Sequence, residues 1–141
     1  MINVTPNFHF QGNCEEAIHL YEKAFNTKID LILYYSDANI EDLKIKLKEE
    51  HKKYVYHGEM KIGNQRIMFS DSITRKIKRG DSFFLTITFE TKENVINSFN
   101  ILSENAEIIA PLQKTTYSSC FGNLIDKFGI RWALMTEQTE K

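Results

Sequence analysis

The fold is decided by residues 120–135, which read CFGNLIDKFGIRWALM. Alternating apolar residues on either side of residues 126–129 predict two strands joined by a tight turn. Gly129 suits that turn because glycine adopts positive φ without a steric penalty. Trp132, the only tryptophan in the sequence, alternates with Arg131 along the second strand, so the two side chains point to opposite faces. We therefore predict a β-hairpin with one packed face.

The rest of the chain repeats a pattern that ends in such a hairpin. A second hairpin is predicted at residues 54–71, YVYHGEMKIGNQRIMFSD, with Gly63 and Asn64 at its turn. Before each hairpin the sequence predicts a strand, an amphipathic helix and a further strand. The helices, CEEAIHLYEKAF (14–25) and KENVINSFNILSEN (92–105), each carry an apolar stripe.

These repeats predict an α+β fold of two βαβββ modules related by internal duplication. We expect one domain over residues 1–141, with a first module at 1–72 and a second at 80–138. The two helices are further apart in sequence than the two turn glycines, and the excess falls in the charged segment 37–53. We predict that this segment is an exposed polar insertion with a short helix. Asn13 is the expected N-cap of the first helix.

Composition excludes several classes of protein. Lys and Arg number 18 and Asp and Glu number 19, so a net charge of −1 gives no basic footprint for nucleic acid. No apolar run approaches a membrane span and the first residues do not form a signal peptide, so we expect a cytoplasmic protein without a membrane partner. Cys14 and Cys120 lack the spacing of a zinc site, and the glycine-rich phosphate loops GxGxxG and GxxxxGKS/T are absent.

Three segments of the sequence resemble one family. FQGNCEEAIHLYEKAF (10–25), MKIGNQRIMFSD (60–71) and DKFGIRW (126–132) are similar to segments of the PhnB-like branch of the vicinal oxygen chelate superfamily. That superfamily includes glyoxalase I, extradiol dioxygenases and the bleomycin- and fosfomycin-resistance proteins. The resemblance covers nearly the whole chain and implies a glyoxalase-like cupped mixed sheet. It also implies a homodimer with two pockets; whether modules are exchanged between chains stays open.

The chain departs from the branch at one point. Where the branch often has Phe-Trp-Gly, this chain has Thr116-Tyr117-Ser118, which keeps one aromatic residue. Members of the branch are sometimes labelled as a demethylubiquinone methyltransferase. No glycine-rich cofactor loop in this sequence supports that label.

The resemblance also allows a test for the superfamily's metal site. In the metal-dependent relatives, His and Glu ligands from four strands hold a divalent metal that polarises the substrate. The matching positions here, none of which is His or Glu, are Thr5 or Pro6, Ile67 or Met68, Phe84, and Ala133. Metal-dependent lyase, isomerase or dioxygenase chemistry is therefore disfavoured, and we expect no metal and no cofactor. Whether the protein is an enzyme stays open.

In this fold the polar faces of the strands line the cavity, where hydrogen-bonding side chains would bind a small-molecule ligand. We expect the apolar residues of the strand that opens the second module to pack on the helices. They are Phe83, Leu85, Ile87 and Phe89. The candidate ligand-binding residues are Asn7, His9, His57, Glu59, Thr86, Thr88, Tyr117 and Arg131.

Three functions stay open at this point. The first hypothesis is a small-molecule-binding protein, for sequestration or sensing, that does not use the usual metal. The alternative is an enzyme with a shifted site at His9, His57 and Glu59, acting either as ligands of a divalent metal or in acid–base chemistry. His57 and Glu59 are two apart on a strand and so share a face. The third is a structural or regulatory dimer with a vestigial pocket.

Overall fold

The structure is a computed structural model that describes residues 1–137. The chain forms two compact units, Met1–Lys78 and the part that begins at Arg79. Each unit contains one four-stranded mixed sheet and one α-helix, which confirms the α+β class and the repeated βαβββ order. The single domain expected over 1–141 stays a prediction, and Gln138, where the second module was expected to end, lies outside the described residues.

The first unit is a βαβββ module with an insertion. Its elements are β1 (Asn7–Phe10), α1 (Cys14–Ala24), β2 (Ile29–Tyr34), β3 (Val55–Ile62) and β4 (Gln65–Asp71). The sheet order is β1-β4-β3-β2, with β1 parallel to β4 and the other pairs antiparallel. The insertion between β2 and β3 has 3-10 turns at 35–37, 40–42 and 49–51 in place of the predicted short helix. Its sparse apolar residues give an α-helix too little surface to bury.

The second unit repeats this arrangement without an insertion. Its elements are β5 (Leu85–Phe89), α2 (Lys92–Leu102), β6 (Glu107–Thr115), β7 (Ser118–Ile125) and β8 (Arg131–Thr136). The sheet order is β5-β8-β7-β6, again with one parallel pair, β5 and β8. In the chain from residue 1 to 137, no helix is long and apolar enough to cross a membrane.

Each helix packs against one face of its own sheet and leaves the other face uncovered. In the first unit that face carries polar side chains together with apolar ones such as Leu31, Leu33 and Met68. In the first unit, Ile18 and Tyr21 of α1 are fully buried against Phe8 and Phe69. The Tyr21 and Phe69 rings are stacked at 6.1 Å, and the Phe8 ring meets both edge-on. Such offset and edge-on geometries are the favourable ones for aromatic rings. Their packing fixes the face of β1 and β4 that is turned away from the helix.

A glycine lies beneath the helix at matching places in the two sheets. Gly58 pairs with Phe69 in the first sheet, and Gly122 pairs with Leu134 in the second. A Cβ on Gly58 would lie 3.5 Å from Ile18, whereas a Cβ on Gly122 would lie 2.8 Å from the Phe99 ring. There is therefore less room for a side chain at Gly122 than at Gly58.

The last residues of β4 and β8 also match in position, but not in chemistry. Asp71 pairs with the end of β1, and Thr136 pairs with the end of β5. Both are buried, and both side chains reach the start of the neighbouring strand. Asp71 Oδ2 accepts from Val55 N at 2.9 Å, and Thr136 Oγ1 accepts from Ser119 N at 3.1 Å. Both units thus keep this contact between neighbouring strands, but a carboxylate makes it in the first unit and a hydroxyl makes it in the second.

Asn13 is the N-cap residue of α1 as predicted, but its side chain does not cap the helix, and the predicted packing of Phe83 on a helix is wrong. The Asn13 side chain makes no capping hydrogen bond; Asp71 Oδ1 instead accepts from Gly12 N and Cys14 N, at 2.6 and 3.1 Å. This carboxylate is 57 positions away from Cys14 in the sequence, but it lies beside the end of β1 and satisfies N–H groups that a local cap would otherwise serve. Phe83 does not pack on a helix, because it precedes β5 and is 66% exposed.

The β7–β8 hairpin forms as predicted, with Gly129 at φ 94°. Asp126 holds the turn, since its Oδ1 accepts from Phe128 N at 2.8 Å and from Ile130 N at 3.1 Å. Its Oδ2 accepts from the buried Trp132 indole N–H at 2.8 Å. One carboxylate therefore serves the turn and the core together.

Candidate functional site

The uncovered face of the first sheet carries two of the predicted site residues on β1. Asn7 and His9 are exposed because they alternate with the buried Phe8 and Phe10. His9 lies opposite Ser70 of β4 in the parallel pair, and its Nδ1 is 3.4 Å from Ser70 Oγ. His9 therefore lies on the sheet face away from α1, and its role in ligand binding stays a prediction.

His9 and Ser70 lie at the floor of a groove of about 950 Å³ within the first unit. One wall is the start of the insertion, and the other is the irregular connector that follows β4. The lining residues are His9, Tyr35, Asp42, Leu43, Lys44, Ile45, Tyr56, Ser70, Asp71, Ser72, Ile73, Thr74, Arg75, Lys76, Ile77 and Lys78. This volume is large enough for a small organic molecule, since ligand pockets typically measure about 300–1,000 Å³.

Two tyrosines form the aromatic part of the groove. The rings of Tyr35 and Tyr56 meet edge-on with centroids 5.2 Å apart. Tyr35 Oη donates to the Asp71 carbonyl oxygen at 2.7 Å, and Tyr56 Oη donates to Asp42 Oδ2 at 3.0 Å. Burial and the nearby Asp71 raise the pKa of Tyr35, and the hydrogen bond to Asp42 raises the pKa of Tyr56. Both phenols therefore stay neutral at physiological pH.

Four cationic side chains line the same groove. These are Lys44 of the insertion and Arg75, Lys76 and Lys78 of the connector. Within residues 1–137, none of the four forms an ion pair with a carboxylate. Asp71 is only 2% exposed, and its two carboxylate oxygens accept backbone N–H groups, so it presents little negative charge to the groove.

Sequence reasoning missed most of this groove. Asp42 lies in the predicted polar insertion and Tyr56 in the predicted hairpin, but the sequence pattern does not predict that they meet Tyr35 in one groove. The available signal was the Arg75–Lys78 run beside the sheet end, which the sequence alone could not distinguish from a solvated loop.

A second cluster lies on the same sheet face, centred on Glu59 of β3. Arg66 donates from Nε to Glu59 Oε1 at 2.8 Å and from Nη2 to Oε2 at 2.6 Å, a bidentate pair. His57 Nε2 donates to Glu59 Oε2 at 2.7 Å. The hydrogen bonds from Arg66 and then His57 lower the pKa of Glu59 to about 2. Glu59 is therefore a fixed anion, and His57 is held in one orientation.

The structure does not bring His9, His57 and Glu59 together into the shifted metal site that the alternative hypothesis requires. Over residues 1–137, it brings together no group of three or more His, Cys, Asp or Glu side chains that could hold an ion. His9 is near Ser70, whereas His57 is committed to Glu59.

The positions that match the superfamily's metal ligands also lack suitable donors. On β4 the uncovered face carries Met68, which lies between Asn7 and Glu59 in register, while Ile67 is buried toward the helix. On β8 the position is Ala133, which pairs with Thr86. A thioether and a methyl group do not form the His and carboxylate set that a hard divalent metal requires. These residues do not fit the superfamily's metal.

The remaining predicted residues belong to the second unit. Thr86 and Thr88 are exposed on β5, and Tyr117, in the turn between β6 and β7, is 50% exposed and packs edge-on against Phe121 at 5.7 Å. Arg131 is used structurally: its Nε donates to the Gly80 carbonyl oxygen at 2.6 Å, and its Nη2 donates to Asp81. Arg131 therefore holds the segment before β5 and is not free to bind a ligand.

Comparison with known proteins supports the interpretation of the fold. A protein from Pseudomonas aeruginosa, PA1353, has 22% identity and a TM-score of 0.85, covering 97% of this chain and 98% of its own. The PhnB protein from Bacillus cereus has 27% identity and a TM-score of 0.77, covering 96% of this chain and 99% of its own. Protein YjdN of Escherichia coli is 23% identical over 137 residues, which is 93% of this chain and 92% of YjdN.

The family comparison covers almost the same extent. The model of the family described as 3-demethylubiquinone-9 3-methyltransferase matches residues 2–135. That range includes both βαβββ modules and all three segments whose resemblance was noted in the sequence. The chain therefore belongs to this family, the PhnB-like branch of the vicinal oxygen chelate superfamily.

Proposed function

We propose that this protein binds a small organic molecule in the groove of its first unit, and does so without a divalent metal at the superfamily's usual position. The observation that carries the proposal is the groove of about 950 Å³ beside the Tyr35–Tyr56 pair. It combines apolar side chains such as Ile45 with hydroxyl and cationic groups, the composition typical of small-ligand sites. Methyl transfer is not part of the proposal, since nothing at the groove indicates a methyl donor site.

The test is a thermal-shift screen of a metabolite library on protein purified without a metal-carrying tag. A ligand present at a hundred times its Kd stabilises the folded state by about 2.7 kcal/mol, which is easily measured. We expect Tyr56→Ala to abolish the shift and Tyr117→Ala, a matched exposed tyrosine of the second unit, to preserve it. Equal loss in both variants, or stoichiometric transition metal in the purified protein, would contradict the proposal.

The His57–Glu59 pair supports a second candidate, an enzyme that uses His57 as a general base. A carboxylate that accepts from Nε2 leaves Nδ1 of the neutral imidazole to take a proton from a substrate. Glu59 cannot itself exchange protons at neutral pH, because its pKa is near 2.

This second candidate is tested by incubating the protein with a metabolite extract and detecting new products by mass spectrometry. Product formation should disappear in His57→Gln. It should persist in His19→Gln, because His19 forms a comparable but exposed pair with Glu22 at 3.0 Å. Activity that survives in His57→Gln would exclude His57 as the base.

A further inference from the structure

We propose that the molecule bound in the groove is an organic anion, whose oxyanion is held by the cations of the connector. This inference rests on the proposed function and adds the chemical class of the ligand. It concerns Lys44, Arg75, Lys76 and Lys78, which converge on one groove although the whole chain carries a net charge of −1.

Among residues 1–137, the four groove cations form no ion pair and share one groove, whereas other unpaired cations, such as Lys61, Lys92 and Lys114, lie outside it. Some cations elsewhere in the chain are paired. Arg66 binds Glu59, Arg131 binds Asp81, and Lys52 binds Glu49. The groove cations lack such a partner among the described side chains. The positive charge of the groove is therefore a local excess that an anionic ligand would neutralise.

Both carboxylates of the groove already accept hydrogen bonds from the protein. Asp71 accepts from the backbone N–H groups of Gly12, Cys14 and Val55, and is turned into the protein. Asp42 accepts from the Tyr56 hydroxyl. Neither carboxylate lies within ion-pair distance of a groove cation, and the four cations outnumber the two carboxylates, so the groove keeps a net positive charge.

The connector is held in place by hydrogen bonds although it has no regular secondary structure. Gln11 Nε2 donates to the Arg75 carbonyl oxygen at 3.2 Å, and Gln11 Oε1 accepts from Ile77 N at 2.9 Å. Ser72 Oγ donates to the same Arg75 carbonyl oxygen at 2.9 Å and accepts from Arg75 N at 3.1 Å. These bonds fix the backbone from which the cations project, which reduces the entropy lost on binding.

The remaining surface of the groove indicates that the anion has an organic part. The Tyr35–Tyr56 pair and the side chains of Leu43 and Ile45 border the same space as the cations. A free inorganic anion would leave these groups in water. A ligand with an oxyanion at one end and an apolar or aromatic body would contact both.

The experiment uses NMR titration of the full-length ¹⁵N-labelled protein with phenyl phosphate, benzoate and neutral phenol. Amide shifts at Ile45, Tyr56 and Ser70 report binding in the groove. The test variant is Arg75→Gln/Lys76→Gln/Lys78→Gln. The control variant, Lys61→Gln/Lys92→Gln/Lys114→Gln, removes the same charge from exposed lysines outside the groove.

We expect phenyl phosphate to bind at the groove with an affinity that falls about tenfold or more in the test variant, and about twofold or less in the control. Benzoate distinguishes a carboxylate from a phosphate as the favoured oxyanion. Equal loss in both variants, or phenol binding as tightly as both anions, would overturn the inference. Phenol shifts at the groove without anion preference would still support the proposed function, whereas no shifts with any probe would count against both.

Discussion

Replacing Gly122 or Gly58 by alanine tests how closely each helix packs on its sheet. Both glycines are buried, face a helix and lie at matching positions in the two units. Positive φ is found at Gly12, Gly63 and Gly129 but not at these two, so alanine can adopt the backbone at either position. Any difference between the two variants therefore reports packing alone.

The magnitudes follow from the space around the new Cβ. At Gly122 it would lie 2.8 Å from the Phe99 ring, 2.9 Å from Leu112 and 3.2 Å from the Ala110 carbonyl oxygen. Overpacking of this kind costs about 1–3 kcal/mol, and the lower chain entropy of alanine returns about 0.4–1 kcal/mol. At the midpoints of these ranges, the Gly122→Ala variant should therefore lose about 1.3 kcal/mol of unfolding free energy.

At Gly58 the same comparison predicts no loss of unfolding free energy. The nearest atoms, of Ile18 and Phe69, would be 3.5 Å away, which is an ordinary van der Waals contact. Only the entropy contribution remains, so Gly58→Ala should be neutral or more stable by up to about 1 kcal/mol.

Urea unfolding measures both variants, with far-UV circular dichroism for the whole chain and Trp132 fluorescence for the second unit. Trp132 is fully buried in the sheet that contains Gly122, so its emission should report loss of that sheet. Two probes are needed because a chain with two compact units can depart from two-state unfolding. The reasoning fails if Gly122→Ala is as stable as the wild type, or if Gly58→Ala is destabilised equally.

Three further predictions concern buried or paired groups. Asp71→Asn should cost about 1–3 kcal/mol in urea unfolding, because an amide cannot accept from all three backbone N–H groups; unchanged stability would contradict this. The stabilisation from Glu59, whose pKa is lowered from 4.5 to about 2, should be complete above pH 4.5 and disappear as the pH falls toward 2. Stability measured over that range should therefore fall less steeply in Glu59→Gln. Cys14 and Cys120 are 0% and 2% exposed, so both should react with Ellman's reagent only after unfolding. Burial also raises the pKa of the Cys14 thiol, which lowers its reactivity further. Fast labelling of the native protein would refute this.

The fold was predictable because its signals are local. The turn at Gly129 and the apolar stripes of both helices each depend on neighbouring residues. Because the chain contains two copies of the module, the same local patterns occur twice and support one another. Periodicity also separated Phe8 and Phe10 from Asn7 and His9, which set the uncovered face of the first sheet.

The candidate site was only partly predictable because its contacts are distant in sequence. Asp71 caps a helix that begins 57 positions earlier, and the groove forms where two aperiodic segments approach each other. The other contacts of the candidate site depend on strand register. The register places Glu59 beside Met68 and brings Arg66 within hydrogen-bond distance of Glu59. The sequence pattern predicts which face of the sheet a residue lies on, but it does not predict the register, which determines its neighbours on the adjacent strands.

The insertion has a consequence for how the ligand specificity of this protein can change. Both walls of the groove, residues 35–45 and 72–78, lie outside the strands, while the sheet contributes the floor. The second unit has no insertion at the corresponding place and keeps the same sheet order. The scaffold therefore does not depend on the walls, and exchanging these two loops between relatives should transfer ligand preference while leaving the sheet, its register and its helix contacts intact.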